Sequence, residues 1–173
     1  MRKVIYGGAC SLDGFLTDRQ GGVDWLHFSK DAEQLMAASW ANTDAILFGR
    51  KTWEVAAASG GSGGGASAIT SYVFSRTMTA APKGAQLVSS NAGEFVRALK
   101  AQPGKDIIVM SGGNLAASLL AEKVIDEIGL NIHPLLLGAG APAFLDAGAR
   151  ITLELKECRA IDGGCVFALY RVH

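Results

Sequence analysis

The chain lacks the features that mark several large classes of protein. Only three of its 173 residues are cysteines, and Cys10, Cys158 and Cys165 form no C-x-x-C pair. An odd number at this spacing argues against a disulfide framework and against a zinc knuckle. No apolar run reaches the roughly 18 residues that a membrane helix needs, and glycines break the short run after the N-terminus, unlike in a signal peptide. We therefore expect a cytoplasmic protein with no membrane partner.

Charge of one sign is not in excess either. Lys and Arg number 16, and Asp and Glu also number 16, so the formal net charge is zero. No overall electric field would draw such a chain to nucleic acid or to an acidic membrane surface. We expect no nucleic-acid partner, and any phosphate binding must come from a local group of residues.

Two nucleotide-binding motifs are absent, and so is metal-ligand spacing. The sequence contains no G-x-x-x-x-G-K-[ST], which argues against phosphoryl transfer by a P-loop, and no G-x-G-x-x-G follows its first predicted strand. His27, His133 and His173 are too far apart in the sequence to resemble a metal-ligand motif. We expect no metal site.

The residues that are present predict one domain over residues 1–173. The chain is 49% hydrophobic and long enough to bury a substantial core. The segment SGGSGGGASA, residues 59–68, is flexible by composition but too short to separate two domains.

The order of apolar segments predicts an α/β fold. DAILFG followed by KTWEVAAA, and DIIVM followed by SGGNLAASLLAEK, are two units of strand, turn and helix, which indicate a parallel sheet centre. The last third is strand-like in EIGLNIHPLLLG, ITLELKEC and CVFALYRV, and Asp162-Gly163-Gly164 joins the last two. We expect these last strands to form an antiparallel edge on the parallel sheet.

Three predicted strand ends carry residues suited to phosphate. Ligands of open α/β sheets bind beyond the carboxyl ends of the strands, where helix N-termini offer free N–H groups. The first strand end is Gly49-Arg50-Lys51-Thr52, the second is Ser111-Gly112-Gly113-Asn114, and the third carries Ser75 and Arg76. Each alone is equally well an ordinary turn or a solvated loop. Together they fit an elongated anionic ligand such as a phosphorylated dinucleotide.

Six segments in a fixed order resemble a known superfamily along nearly the whole chain. They are VIYGGACSLDGFL, DWL, AILFGRKTWE, YVFSRT, IIVMSGGNLAASLL and IDEIGLNIHPLLLGAGAPAF. This order resembles the dihydrofolate reductase-like superfamily, and within it the reductase domain of the bifunctional riboflavin-biosynthesis deaminase-reductases and their stand-alone relatives. The resemblance implies a three-layer fold with a mostly parallel central sheet, antiparallel C-terminal edge strands and helices on both faces.

The resemblance also implies a cofactor, NADPH, and a set of residues that bind it. Backbone groups of Ala9 and Leu16 would meet the nicotinamide carboxamide. Arg50, Ser75 and Arg76 would hold the adenosine 2'-phosphate. The pyrophosphate would lie against residues from two of the corners described above, Thr52, Gly112, Gly113, Asn114 and Leu115.

The substrate site is less well defined by the sequence. Dihydrofolate reductases place a carboxylate at the start of the helix after the tryptophan, but Asp31 is one residue out of step with that position. Asp31 is therefore a shifted substrate anchor or a helix cap, and we favour the cap. Asp24 and Trp25 are further substrate candidates. The zinc motifs H-x-E and P-C-x-x-C are absent, so we expect no deamination.

Asn131 and His133 are the last substrate candidates. We favour a hydrogen-bonded structural role for His133, because its neighbours are apolar. We also expect only one of the two to line the same pocket.

These features lead to an NADPH-dependent reductase resembling 5-amino-6-(5-phosphoribosylamino)uracil reductase of riboflavin biosynthesis, acting on a small heterocyclic substrate. The alternatives are a dihydrofolate reductase acting on a pterin and a non-catalytic NADP-binding module. We also expect a homodimer, because the C-terminal strands leave Phe167, Leu169 and Tyr170 to be covered.

Overall fold

A computed structural model of the protein describes residues 2–58 and 69–173, so the Gly/Ser segment 59–68 lies outside the described residues. The strands are β1 (Val4–Ser11), β2 (Phe15–Thr17), β3 (Thr43–Gly49), β4 (Thr70–Phe74), β5 (Gln86–Val88), β6 (Asp106–Met110), β7 (Glu127–His133), β8 (Ala141–Pro142), β9 (Leu153–Ile161) and β10 (Cys165–Val172). The helices are α1 (Lys30–Ala41), α2 (Arg50–Ala58), α3 (Ala92–Lys100) and α4 (Gly113–Ala121).

One large sheet organises the described residues. Its eight strands have the order β5-β4-β3-β6-β1-β7-β10-β9, and β2 pairs with β8 in a separate small ribbon. The first six strands of the large sheet are parallel, and β10 is antiparallel to both β7 and β9. The predicted parallel centre with an antiparallel C-terminal edge is confirmed.

Helices cover both faces of this sheet. Successive residues of β3 alternate between two cores, because side chains of a strand point to opposite faces. Ala45 and Leu47 face the core that includes residues of α3 and α4. Ile46 and Phe48 face the core that contains Trp53 of α2. Burial on both faces explains why β3 is a continuous apolar run.

The predicted elements differ from the observed ones in three places. Helix α1 begins at Lys30, and its N-cap is Ser29, whose hydroxyl accepts a bond from the Ala32 N–H. The prediction that Asp31 caps the helix was therefore wrong. Strand β7 ends at His133, before Pro134, which cannot donate a ladder hydrogen bond. The short strands β2 and β8 were not predicted at all.

Strand β9 is the most exposed strand of the sheet. Eight of its nine residues are exposed, and only Ile161 is buried. Leu153 and Leu155 are 40% and 54% exposed, whereas Phe167 and Tyr170 of β10 are half-buried. An exposed edge strand of this length needs cover in solution. The homodimer stays a prediction, and β9 is the strand that it would cover.

None of the helices in residues 2–58 and 69–173 is long and apolar enough to span a bilayer.

Candidate functional site

The carboxyl ends of five parallel strands lie side by side along one edge of the sheet. In spatial order they are the ends of β4, β3, β6, β1 and β7. Neighbouring strands lie about 4.8 Å apart, so this row spans roughly 19 Å. Ser75 follows β4, Arg50 follows β3, and Gly112 follows β6. The structure thus brings the three predicted phosphate corners together on adjacent strands, with Ala9 on the next strand and Asn131 on the one after it.

The corner at residues 49–52 forms the first turn of α2. This turn contains no acidic residue, and Arg50 and Lys51 add their charges to the positive end of the helix. The Arg50 guanidinium bonds to Glu54 Oε1 at 2.7 Å, so a phosphate at this position would compete with Glu54. Thr52 is half-buried in the same turn. A Cβ on Gly49 would lie 3.6 Å from Ser111 Cβ, so the β3 and β6 ends are in contact range.

The corner after β4 is organised by a serine hydroxyl. Ser75 Oγ accepts the backbone N–H groups of Thr77 and Met78 at 3.2 and 3.1 Å. These bonds fold residues 75–78 into a turn and place Arg76 at its exposed tip. Arg76 makes no ion pair with any other residue that the structure describes. Its charge is therefore available to a ligand.

The corner after β6 contains two glycines with different surroundings. A Cβ on Gly113 would lie 2.9 Å from Pro142 O and from Leu145 Cγ, so this glycine is required by packing inside the chain. Gly112 has ordinary extended dihedral angles, φ −71° and ψ 171°, and a Cβ there would meet no described atom within 4 Å. Gly112 is also the N-cap of α4 and brings no side-chain acceptor to its first N–H groups.

Strands β1 and β6 separate near this corner. Their pairing ends at Tyr6 and Val109, whereas β1 continues beside β7 as far as Ser11. Gly8 is consequently exposed although its strand has neighbours on both sides, and a Cβ there would meet no described atom within 4 Å. Ala9 is half-buried beside this gap.

The loop between β1 and β2 is fixed by a carboxylate that the sequence analysis did not single out. Asp13 accepts the Ser11 hydroxyl at 2.6 Å and the backbone N–H groups of Leu137 and Gly138 at 3.1 and 2.8 Å. The Ser11 hydrogen bond, helped by these backbone donors, lowers the pKa of Asp13 below its usual value. This carboxylate therefore holds Leu16 and its strand β2 near the end of β7. The Asp13-Gly14 pair was recognisable in the sequence only as a turn.

His133 is a buried structural residue. Its Nε2 accepts the His27 backbone N–H at 3.1 Å, so the proton of this neutral ring is on Nδ1, which lies 3.3 Å from Asn131 O. The edge of the Trp25 ring packs against the His133 ring, with 5.2 Å between their centroids. The predicted hydrogen-bonded role of His133 is confirmed, because both of its ring nitrogens are engaged.

Asn131 lies on the same face of β7 as His133. Residues two apart in a strand share a face, and the register pairs Asn131 with Ala9 and His133 with Ser11. The expectation that only one of them could line the same pocket was therefore wrong. Asn131 Oδ1 and Trp25 Nε1 are both buried, and neither has a hydrogen-bond partner among the described residues.

The two acidic candidates differ in their surroundings. Asp31 Oδ2 accepts the backbone N–H of Asp162 at 3.1 Å and thereby ties α1 to the turn between β9 and β10. Asp24 is exposed, and no partner for it appears in the described part of the chain. The Asp31 carboxylate therefore has a structural contact, whereas that of Asp24 faces solvent.

Comparison with known proteins identifies the family of this chain. The model of the RibD C-terminal domain matches residues 2–167. The chain is 32% identical to the uncharacterized protein YyaP of Bacillus subtilis (strain 168) over an alignment of 190 residues, which covers 98% of this chain and 94% of YyaP. The chain therefore belongs to the RibD C-terminal domain family.

Solved structures show the same architecture. A Shewanella sp. PV-4 protein assigned provisionally to riboflavin biosynthesis matches with a TM-score of 0.86 at 25% identity, over 99% of both chains. The Thermotoga maritima deaminase and 5-amino-6-(5-phosphoribosylamino)uracil reductase matches with 0.71 at 16% identity, over 98% of this chain and 56% of that one. Enterococcus faecalis dihydrofolate reductase complexed with NADP(H) matches with a TM-score of 0.72 at 12% identity, over 99% of this chain and 96% of that one. The last two matches establish the dihydrofolate reductase-like fold.

Proposed function

We propose that this member of the RibD C-terminal domain family is an NADPH-dependent reductase of the riboflavin-biosynthesis type. Its substrate would be a pyrimidine-ribosylamino compound or a related heterocycle. NADPH supplies a hydride from its nicotinamide ring, and the protein positions the two ligands. The observation that carries this proposal is the open space at Gly112. Glycine is a favoured N-cap residue, and the open space around Gly112 also leaves room for a ligand phosphate to approach the backbone closely.

The remaining cofactor contacts follow the row of strand ends. Free N–H groups in the first turn of α4, from Gly113 to Leu115, would bind the pyrophosphate together with Thr52. Ser75, Arg76 and Arg50 would hold the 2'-phosphate, with Lys51 nearby. Ala9 and Leu16 would border the nicotinamide at the gap between β1 and β6.

The pterin alternative loses support at Asp31, because one oxygen of that carboxylate accepts the Asp162 N–H and ties it to the turn between β9 and β10. Asp24, beside Trp25, keeps an exposed carboxylate, so this alternative now rests on Asp24. Only an activity assay distinguishes the proposed enzyme from an NADP-binding module without turnover.

The test is a titration of NADPH and NADH against Arg76→Ala and Arg50→Ala. A charge-assisted phosphate contact is worth about 1.5 to 3 kcal/mol, so we expect about tenfold to a hundredfold weaker NADPH binding for Arg76→Ala, with NADH nearly unchanged. Arg50→Ala should act in the same direction by a smaller factor, because Glu54 already competes for that guanidinium.

Arg97→Ala is the matched control, because Arg97 pairs with Glu122 between α3 and α4. It should leave the binding of both cofactors unchanged. Equal losses of NADPH and NADH in Arg76→Ala would show that the 2'-phosphate lies elsewhere. NADPH oxidation with a ribosylaminopyrimidine then distinguishes the reductase from the inert module, and turnover of dihydrofolate alone would restore the pterin alternative.

A further inference from the structure

Two polar atoms on the substrate side of the site are buried without a partner. They are Trp25 Nε1 and Asn131 Oδ1, and no other buried side-chain nitrogen or oxygen of the described residues shares this condition. Buried polar groups in native proteins are nearly always hydrogen-bonded, so each exception needs an explanation. Their location in one part of the molecule suggests a common one.

Both atoms lie beside the position expected for the nicotinamide. Asn131 shares a face of the sheet with Ala9, its register partner on β1. Trp25 packs edge-on against His133, two residues after Asn131 on the same face. The His27 N–H bond to His133 holds the Trp25 loop against β7. A ring that meets Trp25 and Asn131 would therefore lie next to a ring at Ala9.

The chemistry of the two atoms defines what they can bind. The indole Nε1–H only donates, and the carboxamide Oδ1 only accepts. A ligand that satisfies both must present one acceptor and one donor, as the C=O and N–H of a neutral amide do. A protonated heterocycle would instead require a carboxylate, which neither Trp25 Nε1 nor Asn131 Oδ1 supplies.

The surroundings suit an uncharged ring. Three large apolar side chains near this end of β7 are unusually exposed, with Leu12 at 67%, Phe28 at 65% and Leu136 at 71%. The Leu12 N–H bonds to Leu135 O, which brings the first and last of these segments together. Phe28 directly follows His27.

We propose that Trp25 and Asn131 are the specificity-determining pair of this site and that they bind the neutral amide edge of the substrate heterocycle. This inference rests on the proposed function for the location of the substrate. It goes further in naming the pair that selects a lactam over a protonated base.

The test measures binding of three small probes by calorimetry, with and without NADP⁺. The first probe is 6-aminouracil, which has the amide edge. The second is 1,3-dimethyl-6-aminouracil, which lacks the two ring N–H groups but keeps the exocyclic amine. The third is 2,4-diaminopyrimidine, which protonates readily. The variants are Asn131→Leu, which removes the acceptor at similar volume, and Trp25→Phe, which keeps a ring against His133. Asn91→Leu is the matched control, because Asn91 caps α3 through the Glu94 N–H.

We expect 6-aminouracil to bind and the other two probes to bind at least tenfold more weakly. Each site variant should weaken 6-aminouracil about tenfold, as the loss of one hydrogen bond does. Asn131→Leu should not lower the melting temperature, because it removes an unsatisfied buried atom. Asn91→Leu should lower the melting temperature, because it removes a helix cap, and should leave probe binding unchanged.

Four results would overturn the proposal: equal binding of the dimethylated probe, stronger binding of 2,4-diaminopyrimidine, wild-type affinity in both site variants, or no binding of 6-aminouracil while NADP⁺ binds. Binding of 6-aminouracil with the expected variant effects, but no binding of either cofactor, would contradict the proposed reductase and leave the amide-reading pair standing.

Discussion

The polar groups at the two edges of the central sheet differ in whether other residues of the chain satisfy them. At the amino edge the buried Arg2 guanidinium donates to the carbonyls of Leu99 and Lys105 and pairs with Asp44. The buried Glu127 carboxylate forms ion pairs with Lys3 and Lys156, and Lys100 Nζ lies 2.6 Å from Asp126 Oδ1. These charges are neutralised within the chain, so none is left to hold a ligand, and removing one partner of such a pair would destabilise the fold.

At the carboxyl edge several groups are left over. Arg76 has no ion pair among the described residues, Gly112 borders open space, and Trp25 and Asn131 each bury an unpaired atom. Two hollows lie at the amino edge, and charged groups that already bond to each other are among the residues that line them. We therefore base the proposed ligand edge on unsatisfied hydrogen-bonding groups and not on a cavity.

The largest expected effect is on stability at the amino edge. Asp44→Ala would leave the buried Arg2 guanidinium without its counter-ion and free the Lys105 N–H that Asp44 accepts at 2.8 Å. Breaking such a pair from one side costs about 3 kcal/mol in the free energy of unfolding. NADPH affinity should not change. Denaturant unfolding of Asp44→Ala, measured against wild type, checks the loss.

The matched control for that experiment is Asp24→Ala at the carboxyl edge. Asp24 is exposed and without a partner in the described residues, so its removal should change stability by less than about 0.5 kcal/mol. Similar losses of stability in the two variants would remove the contrast between the edges.

The next largest effect is a difference in stability between variants of two adjacent glycines, Gly112 and Gly113. Gly113→Val would press a side chain against Pro142 O and Leu145, and overpacking of this kind costs about 1 to 3 kcal/mol. Gly112→Val should cost less, about 0.5 to 1 kcal/mol for a poorer N-cap residue, because its side chain would enter open space at allowed dihedral angles. That side chain would block close approach of a pyrophosphate, so we expect NADPH and NADH to bind more weakly by similar factors. Unaltered cofactor binding in a stable Gly112→Val variant would refute the proposed role of this turn.

The parallel centre of the fold was predictable because its signal is local. Residues 45–48 are apolar and buried on both faces, which is what a central parallel strand requires. The short strands β2 and β8 were missed because each has only two or three residues, and they pair with each other across more than 120 residues. The Asp13 contacts to Leu137 and Gly138 join the same two segments, and no local pattern contains them.

The row of strand ends that we propose for the cofactor was predictable in part for the same reason. Strand ends that carry Arg50, Arg76 and Gly112 are visible in the sequence, and parallel pairing brings them together. The different roles of Gly112 and Gly113 were not visible, because they depend on residues near position 142. The Trp25 and Asn131 atoms were named as candidates, but their lack of partners follows from a loop that is held by a contact across 106 residues.

The smallest effect concerns Asp13, the carboxylate that the carboxyl edge does satisfy internally. The Ser11 hydroxyl and two backbone N–H groups lower its pKa in the folded protein below the ordinary value of 3.8. The stabilisation is therefore complete above that ordinary value and is lost as the pH falls through the lowered folded value. Asp13→Asn should be slightly less stable than wild type at pH 7, and the difference should shrink below the ordinary pKa and vanish once the carboxylate is protonated in the folded protein. Thermal unfolding of both proteins across this range measures it. A difference that persists or grows in acid would show that Asp13 acts through shape and not through its charge, and the contrast between the two edges would then rest on the unpaired groups alone.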